Sequence, residues 1–249
     1  MPVVKKEDLR LLFFLSKKVK TIFSGLSMVD KPEGSRILVI APHPDDDILG
    51  CGGTIRLHRQ LGHTVTILYV TDGEKGIRNL NPIKTAELRR IEAGLAARHL
   101  GVDEEYLYHL HLRDGDMINQ CGTNHDFRTI LEKSNPDIIY LPSFIETHRD
   151  HFAANVLLKN NLIKNVTVAA YEIWSPLIPN RLVNITPVIE AKRKALQEHA
   201  SQLKELDYLD AALSLNRYRA AMYKKEIQYA EAFIYCASSQ YFELMMSVE

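Results

Sequence analysis

The 249-residue chain carries no excess charge of either sign, since Lys plus Arg and Asp plus Glu each number 31. That balance removes the global electrostatic case for nucleic acid or an acidic partner as ligand. Cysteine is scarce: Cys51, Cys121 and Cys236 are odd in number and widely spaced, which speaks against a disulfide framework and for a reducing cytoplasm. There is no internal repeat and no low-complexity linker. Apolar runs long enough to cross a bilayer are missing as well. Lys5 to Ser27 reads as a basic amphipathic helix with Leu11, Leu12, Leu15, Val19, Ile22 and Phe23 on one face, but its apolar core is too short for a span. Leu11 to Leu15 lacks the length and cleavage site of a secretory signal. This helix is expected to pack on the domain or on a neighbouring subunit of a homo-oligomer. Peripheral membrane docking through Lys17, Lys18 and Lys20 is the second reading. Residues 1–30 are therefore taken as a helical extension, and residues 31–249 as one domain whose 46% apolar content can fill a core.

What is present alternates. Strand-like runs at Arg36 to Ala41, Thr64 to Val70, Glu105 to Leu110, Asp137 to Leu141 and Val166 to Tyr171 are separated by helix-like stretches. Those stretches lie around Cys51 to Leu61, Lys84 to Leu100, Asp126 to Ser134 and His151 to Lys159. The pattern predicts an α/β fold: a Rossmann-like, doubly wound, mostly parallel sheet with helices on both faces. Thr186 to Leu206 and Tyr208 to Ala230 read as helices, followed by the apolar Phe233 to Cys236.

Polar chemistry gathers at two strand ends. His43-Pro44-Asp45-Asp46-Asp47 follows the first run, at the carboxyl edge where open α/β sheets keep their sites. Prolines on both sides of His43 stiffen the turn, so these groups are expected to be displayed and not buried. A second cluster, Thr147-His148-Arg149-Asp150-His151, follows the run ending at Leu141. Catalytic zinc takes three imidazole or carboxylate ligands and leaves a position open, and His43, Asp46 and one histidine of the second cluster would supply them. Iron is compatible with the same ligands.

Two tempting alternatives fail. His148-Arg149-Asp150 with Asn155 imitates a kinase catalytic loop, but no glycine-rich loop, strand lysine or Asp-Phe-Gly triplet accompanies it. Gly50-Cys51-Gly52-Gly53 suggests a phosphate cradle, yet the dinucleotide fingerprint is absent and an acidic neighbour is a poor phosphate host. Cys51 itself reads as a small helix-start residue, and Asp47 as a helix N-cap.

In combination, the motifs resemble the LmbE/PIG-L family of zinc-dependent N-acetylglucosamine deacetylases, from about Ile37 to Phe233. The resemblance rests on His43-Pro44-Asp45-Asp46, Thr71-Asp72-Gly73-Glu74-Lys75-Gly76, Arg89-Arg90-Ile91-Glu92, His148-Arg149-Asp150-His151, and Lys194-Ala195 with His199, Ser201 and Gln202. It implies zinc on His43, Asp46 and His151, Asp45 as general base and His148 as electrophilic or acid partner. It places Glu74, Arg89 and Asp114 on sugar hydroxyls. Asp47, where the family often has glutamate, and Glu146, where some members place a tyrosine, depart from it.

The chemistry stands beside the resemblance. Zinc lowers the pKa of a bound water to about 7 and polarises a carbonyl, which an amide needs for hydrolysis at neutral pH. Asp45 is placed to take the proton. His148 would stabilise the oxyanion and protonate the amine, with Asp150 fixing its ring and keeping it cationic. Arg89 could instead pair with Glu92 on a helix face, Asp114-Gly115-Asp116 could be only a turn, and His199 could be a surface or core-edge histidine. The expected function is removal of acetyl from an N-acetylglucosamine-type sugar or conjugate, releasing acetate and free amine. A hydrolase of another bond, such as a phosphoester, and a non-catalytic sugar-binding protein are the alternatives, and the aglycone is not specified by these residues.

Overall fold

The structure, a computed structural model, describes residues 22–23, 25–204 and 206–247. The expected N-terminal helix lies mostly outside them, and its last residue, Ser27, opens a strand instead.

Strands β1 (Ser27–Val29), β2 (Arg36–Ala41), β3 (Thr64–Thr71), β4 (Leu107–Leu112), β5 (Ile138–Pro142), β6 (Thr167–Tyr171), β7 (Arg181–Asn184) and β8 (Ala230–Ala237) form one sheet in the order β1-β7-β8-β6-β5-β2-β3-β4. β6 to β4 run parallel, as do β1 and β7, while β8 lies antiparallel to both its neighbours. The near-continuous apolar strands explain the layering, because side chains alternate between faces. Ile37, Val39 and Ala41 enter one core with Val65, Ile67 and Tyr69; Leu38 and Ile40 enter the other with Leu68 and Val70. Helices α1 (Asp46–Gln60), α2 (Pro82–Leu100) and α5 (Ile189–Glu198) cover the first face. Helices α3 (His125–Ser134), α4 (Arg149–Asn161) and α8 (Ser238–Met246) cover the second. Short α6 (Ala200–Leu203) and α7 (Tyr208–Ala221) complete the set.

The winding reverses between β2 and β5: the chain proceeds outward through β3 and β4, then returns to the other side of β2. A crevice opens at such a reversal, outside the strands' carboxyl ends. Both polar clusters follow these two strands.

Helix α1 begins at Asp46, ahead of the expected start, because it is two segments broken at Cys51 (φ −144°, ψ 22°). A break orphans backbone groups, and buried side chains take up Leu49 O, Gly53 N and Thr54 N. Leu49 O accepts from Lys192 Nζ (2.9 Å), while the Glu231 carboxylate accepts from Gly53 N (2.8 Å), Thr54 N (2.8 Å) and Lys192 Nζ (2.7 Å). Glu231 thereby occupies the amides that a phosphate would need. Gly50 is required by proximity, since a Cβ there would fall 2.0 Å from the Tyr171 ring. The helix expected over Tyr208 to Ala230 ends at Ala221, and residues from Ala230 form β8.

Candidate metal centre

The turn after β2 throws Asp45 into a backbone conformation (φ 154°, ψ −25°) that non-glycine residues seldom adopt, a type of strain concentrated at functional sites. Asp46 then enters the first turn of α1 facing back across the crevice. Its Oδ2 accepts from His43 N (2.9 Å) and lies 3.1 Å from His43 Nδ1 and 3.3 Å from His151 Nε2, so two imidazoles from opposite sides of the switch point converge on one carboxylate oxygen. The rings of His43 and His151 lie 5.6 Å apart, and His148 is 4.8 Å from the first and 4.9 Å from the second. These groups are sunk below the surface: His43, Asp45, Asp46, Asp47 and His151 are buried, not displayed, because the flanking loops wall in the stiff turn.

The outward ring nitrogens also meet carboxylates. His43 Nε2 lies 3.2 Å from Asp114 Oδ1 and 3.4 Å from Asp150 Oδ2, and His151 Nδ1 lies 3.6 Å from Glu146 Oε2, an electrostatic contact too long for a hydrogen bond. Imidazoles backed by carboxylates are typical of metal ligands, whose orientation and basicity such partners set. Among the described residues, His43, His148 and His151 could share an ion, as could His43, Asp114 and Asp150. The second set fits less well, for its carboxylates are spent on backbone amides: Asp114 on Lys75 N (3.0 Å), Asp150 on Gly115 N (2.6 Å) and Met117 N (3.3 Å). His43, Asp46 and His151, with His148 adjacent, offer the imidazole and carboxylate donors that suit a divalent ion such as zinc.

The electrostatics separate two neighbouring carboxyls. Burial pushes Asp45 up to about 6, against the opposing charge of Arg89. At Asp46 burial is overcome by His151 and His43, which hold the carboxyl well below the usual range. Asp46 is thus a fixed anion, and Asp45 can exchange a proton near neutrality.

Several expected placements change. Arg89 does not pair with Glu92; it is buried, with Nη2 3.0 Å from Asp45 Oδ2 and its other bonds going to Gly73 O and Pro44 O. Glu92 accepts instead from Ser201 N (2.8 Å) and Oγ (2.6 Å), so α2 cannot present that pair to solvent. Asp150 does not support His148 through its carboxylate, which faces His43. Its amide donates to His148 Nδ1 (3.2 Å), leaving Nε2 as the protonated nitrogen of a neutral ring. Burial, then His43 and His151, lower the His148 pKa, which is opposite to the expected cationic state. Asp47 is not an N-cap; it is buried in the first turn, accepts from Tyr69 OH (3.1 Å), and burial pushes it up to about 7. In the lysine motif Lys194 is exposed, and Lys192 is the buried one. His199 is buried with neither ring nitrogen hydrogen-bonded among the described residues.

A cavity of about 350 Å³ reaches the cluster. Asp45, Arg89, Asp114 and His148 line it, whereas the Glu74 carboxylate accepts from Asp114 N (2.9 Å) and shapes the wall from behind. Its lining also includes Lys75, Trp174, Gln202 and Tyr208. Trp174 and Tyr208 carry no motif and could not be found from sequence.

Residues 38–161 match the family model PIG-L, described as GlcNAc-PI de-N-acetylase. The chain is 28% identical over 191 residues to the diacetylchitobiose deacetylase of Thermococcus kodakarensis, covering 68% of this chain and 71% of that protein. It is 28% identical over 190 residues to a probable N-acetyl-alpha-D-glucosaminyl L-malate deacetylase 2 of Bacillus anthracis, covering 67% of this chain and 80% of that protein. Among solved structures it resembles the N,N'-diacetylchitobiose deacetylase of Pyrococcus horikoshii, with a TM-score of 0.68, 26% identity and 96% of each chain covered.

Proposed function

Because the chain belongs to the PIG-L family, we propose that its site hydrolyses the acetamide of an N-acetylglucosamine-type sugar or conjugate with one divalent ion, zinc, on His43, Asp46 and His151. The carrying observation is the convergence of both imidazoles on Asp46 Oδ2, with Asp45 and His148 beside them on the cavity wall. When bound, the ion would polarise the acetyl carbonyl and acidify a water. Asp45 accepts the proton of the attacking water, held toward the cavity by Arg89. His148 donates its Nε2–H to the carbonyl oxygen as charge develops there, its tautomer fixed by the Asp150 amide. The proton on Asp45 then passes to the departing nitrogen as the carbon–nitrogen bond breaks, giving acetate and free amine. Asp114 supplies the polar wall against which sugar hydroxyls are held, supported by Glu74.

Phosphoester hydrolysis is the poorer fit, since Asp45, Asp46 and Asp114 line the cavity and Arg89 is engaged by Asp45. No helix among the described residues is long and apolar enough to cross a membrane, and the three free cysteines support a reducing, cytoplasmic setting. The test is elemental analysis together with acetate release on a panel of N-acetylglucosamine conjugates. The protein should hold one ion per chain and release acetate, and replacing His43 and His151 together by alanine should abolish both. Full metal occupancy in that double variant would overturn the ligand assignment.

A further inference from the structure

The cavity has two chemically different ends. Around Asp46 it is ionic, whereas its mouth carries Trp174 and Tyr208, whose rings meet edge to face at 5.0 Å and 63°. Trp174 is 41% exposed and lines the cavity, so part of its indole is open to whatever enters. It does not sit there through looseness of the loop after β6. Three consecutive amides, those of Ile173 (2.7 Å), Trp174 (3.2 Å) and Ser175 (3.2 Å), donate to the buried Glu146 carboxylate, whose other oxygen faces His151. The aromatic end is therefore fixed relative to the reacting end.

We propose that Trp174 and Tyr208 form a subsite that stacks on a second pyranose ring, linked to the N-acetylated sugar whose acetamide reaches the metal centre. This rests on the deacetylase reading for the reacting sugar. A pyranose presents C–H bonds on its faces and hydroxyls on its edge, which suits the electron-rich face of an aromatic ring. With the acetamide at the ionic end, a ring linked to its sugar extends toward the end of the cavity that carries these side chains.

Trp174 is the only tryptophan in the sequence, so the protein's emission reports on this position. Titrating the full-length, zinc-loaded Asp45→Asn variant with N,N'-diacetylchitobiose should give a saturable change in emission. In the active protein, Trp174→Ala should lower the ratio of kcat/KM for this disaccharide over N-acetylglucosamine about ten-fold, the scale of one aromatic contact, and Trp174→Phe should preserve it. An unchanged ratio in Trp174→Ala, or acetate release from the disaccharide with no emission change, would overturn the subsite and leave the deacetylase standing. A saturable emission change without acetate release from either sugar would support the subsite and remove the deacetylase. Neither emission change nor acetate release would overturn both.

Discussion

Within the site, Asp45 combines a carboxyl raised to about 6 with an ion pair to the buried Arg89 guanidinium. This changes what Arg89 does. Arg89 is not a surface partner of Glu92; it lines the cavity, where the resemblance places it on sugar hydroxyls, and it is also a buried cation paired with the base. A base must be deprotonated to act, so activity rises with pH through its pKa, and removing the cation that lowers this pKa moves the acid limb to higher pH. A bound ion lowers it too, so the limb of the loaded wild type should lie at or below about 6. Arg89→Gln should shift that limb upward and reduce turnover on a simple acetamide as well as on a sugar. A pH profile with an unmoved acid limb would show that Arg89 does not tune Asp45. The same contact was not legible in the sequence, because Asp45 lies in the turn before α1 and Arg89 on α2, and nothing in their spacing reveals the pairing.

Among the elements, the parallel strands β2 to β6 were legible to within a residue or two: β2, β3, β5 and β6 are buried on both faces and read as continuous apolar runs, and the edge strand β4 keeps enough leucine and tyrosine to be seen. The antiparallel insert was not. β8 opens with Ala230 and the charged Glu231, and β1 and β7 are too short to show a pattern. Yet β8 provides the carboxylate that repairs the break in α1 and so fixes the turn carrying Asp45 and Asp46. Lys192 and Glu231 are both fully buried, and removing one leaves the other charge uncompensated. Lys192→Met should cost about 3–5 kcal/mol in urea-induced unfolding, with partial recovery when Glu231→Gln is added. A loss below about 1 kcal/mol would mean that the pair is not what holds the break together.

At the scale of the whole molecule, the winding of the sheet reverses between β2 and β5, and the two polar motifs meet there because each follows one of these two strands. That is why two motifs about a hundred residues apart could be paired from sequence: motif and strand context agreed for both. Of the carboxylates behind the histidines and the aromatic pair, Asp114, Glu146 and Trp174 lie in loops, while Asp150 and Tyr208 lie in the first turns of α4 and α7, so only the fold assembles them. The central claim is a division of labour in this crevice, with Asp46 fixing the ion and its neighbour Asp45 moving the proton. Its most direct measurement is acetate release by Asp45→Asn beside wild type at equal, analytically determined metal content. The predicted result is one ion per chain in both proteins and a loss on the order of 10²-fold or more in kcat for the variant, the scale of general-base removal. Wild-type kcat in a fully loaded Asp45→Asn protein would contradict it.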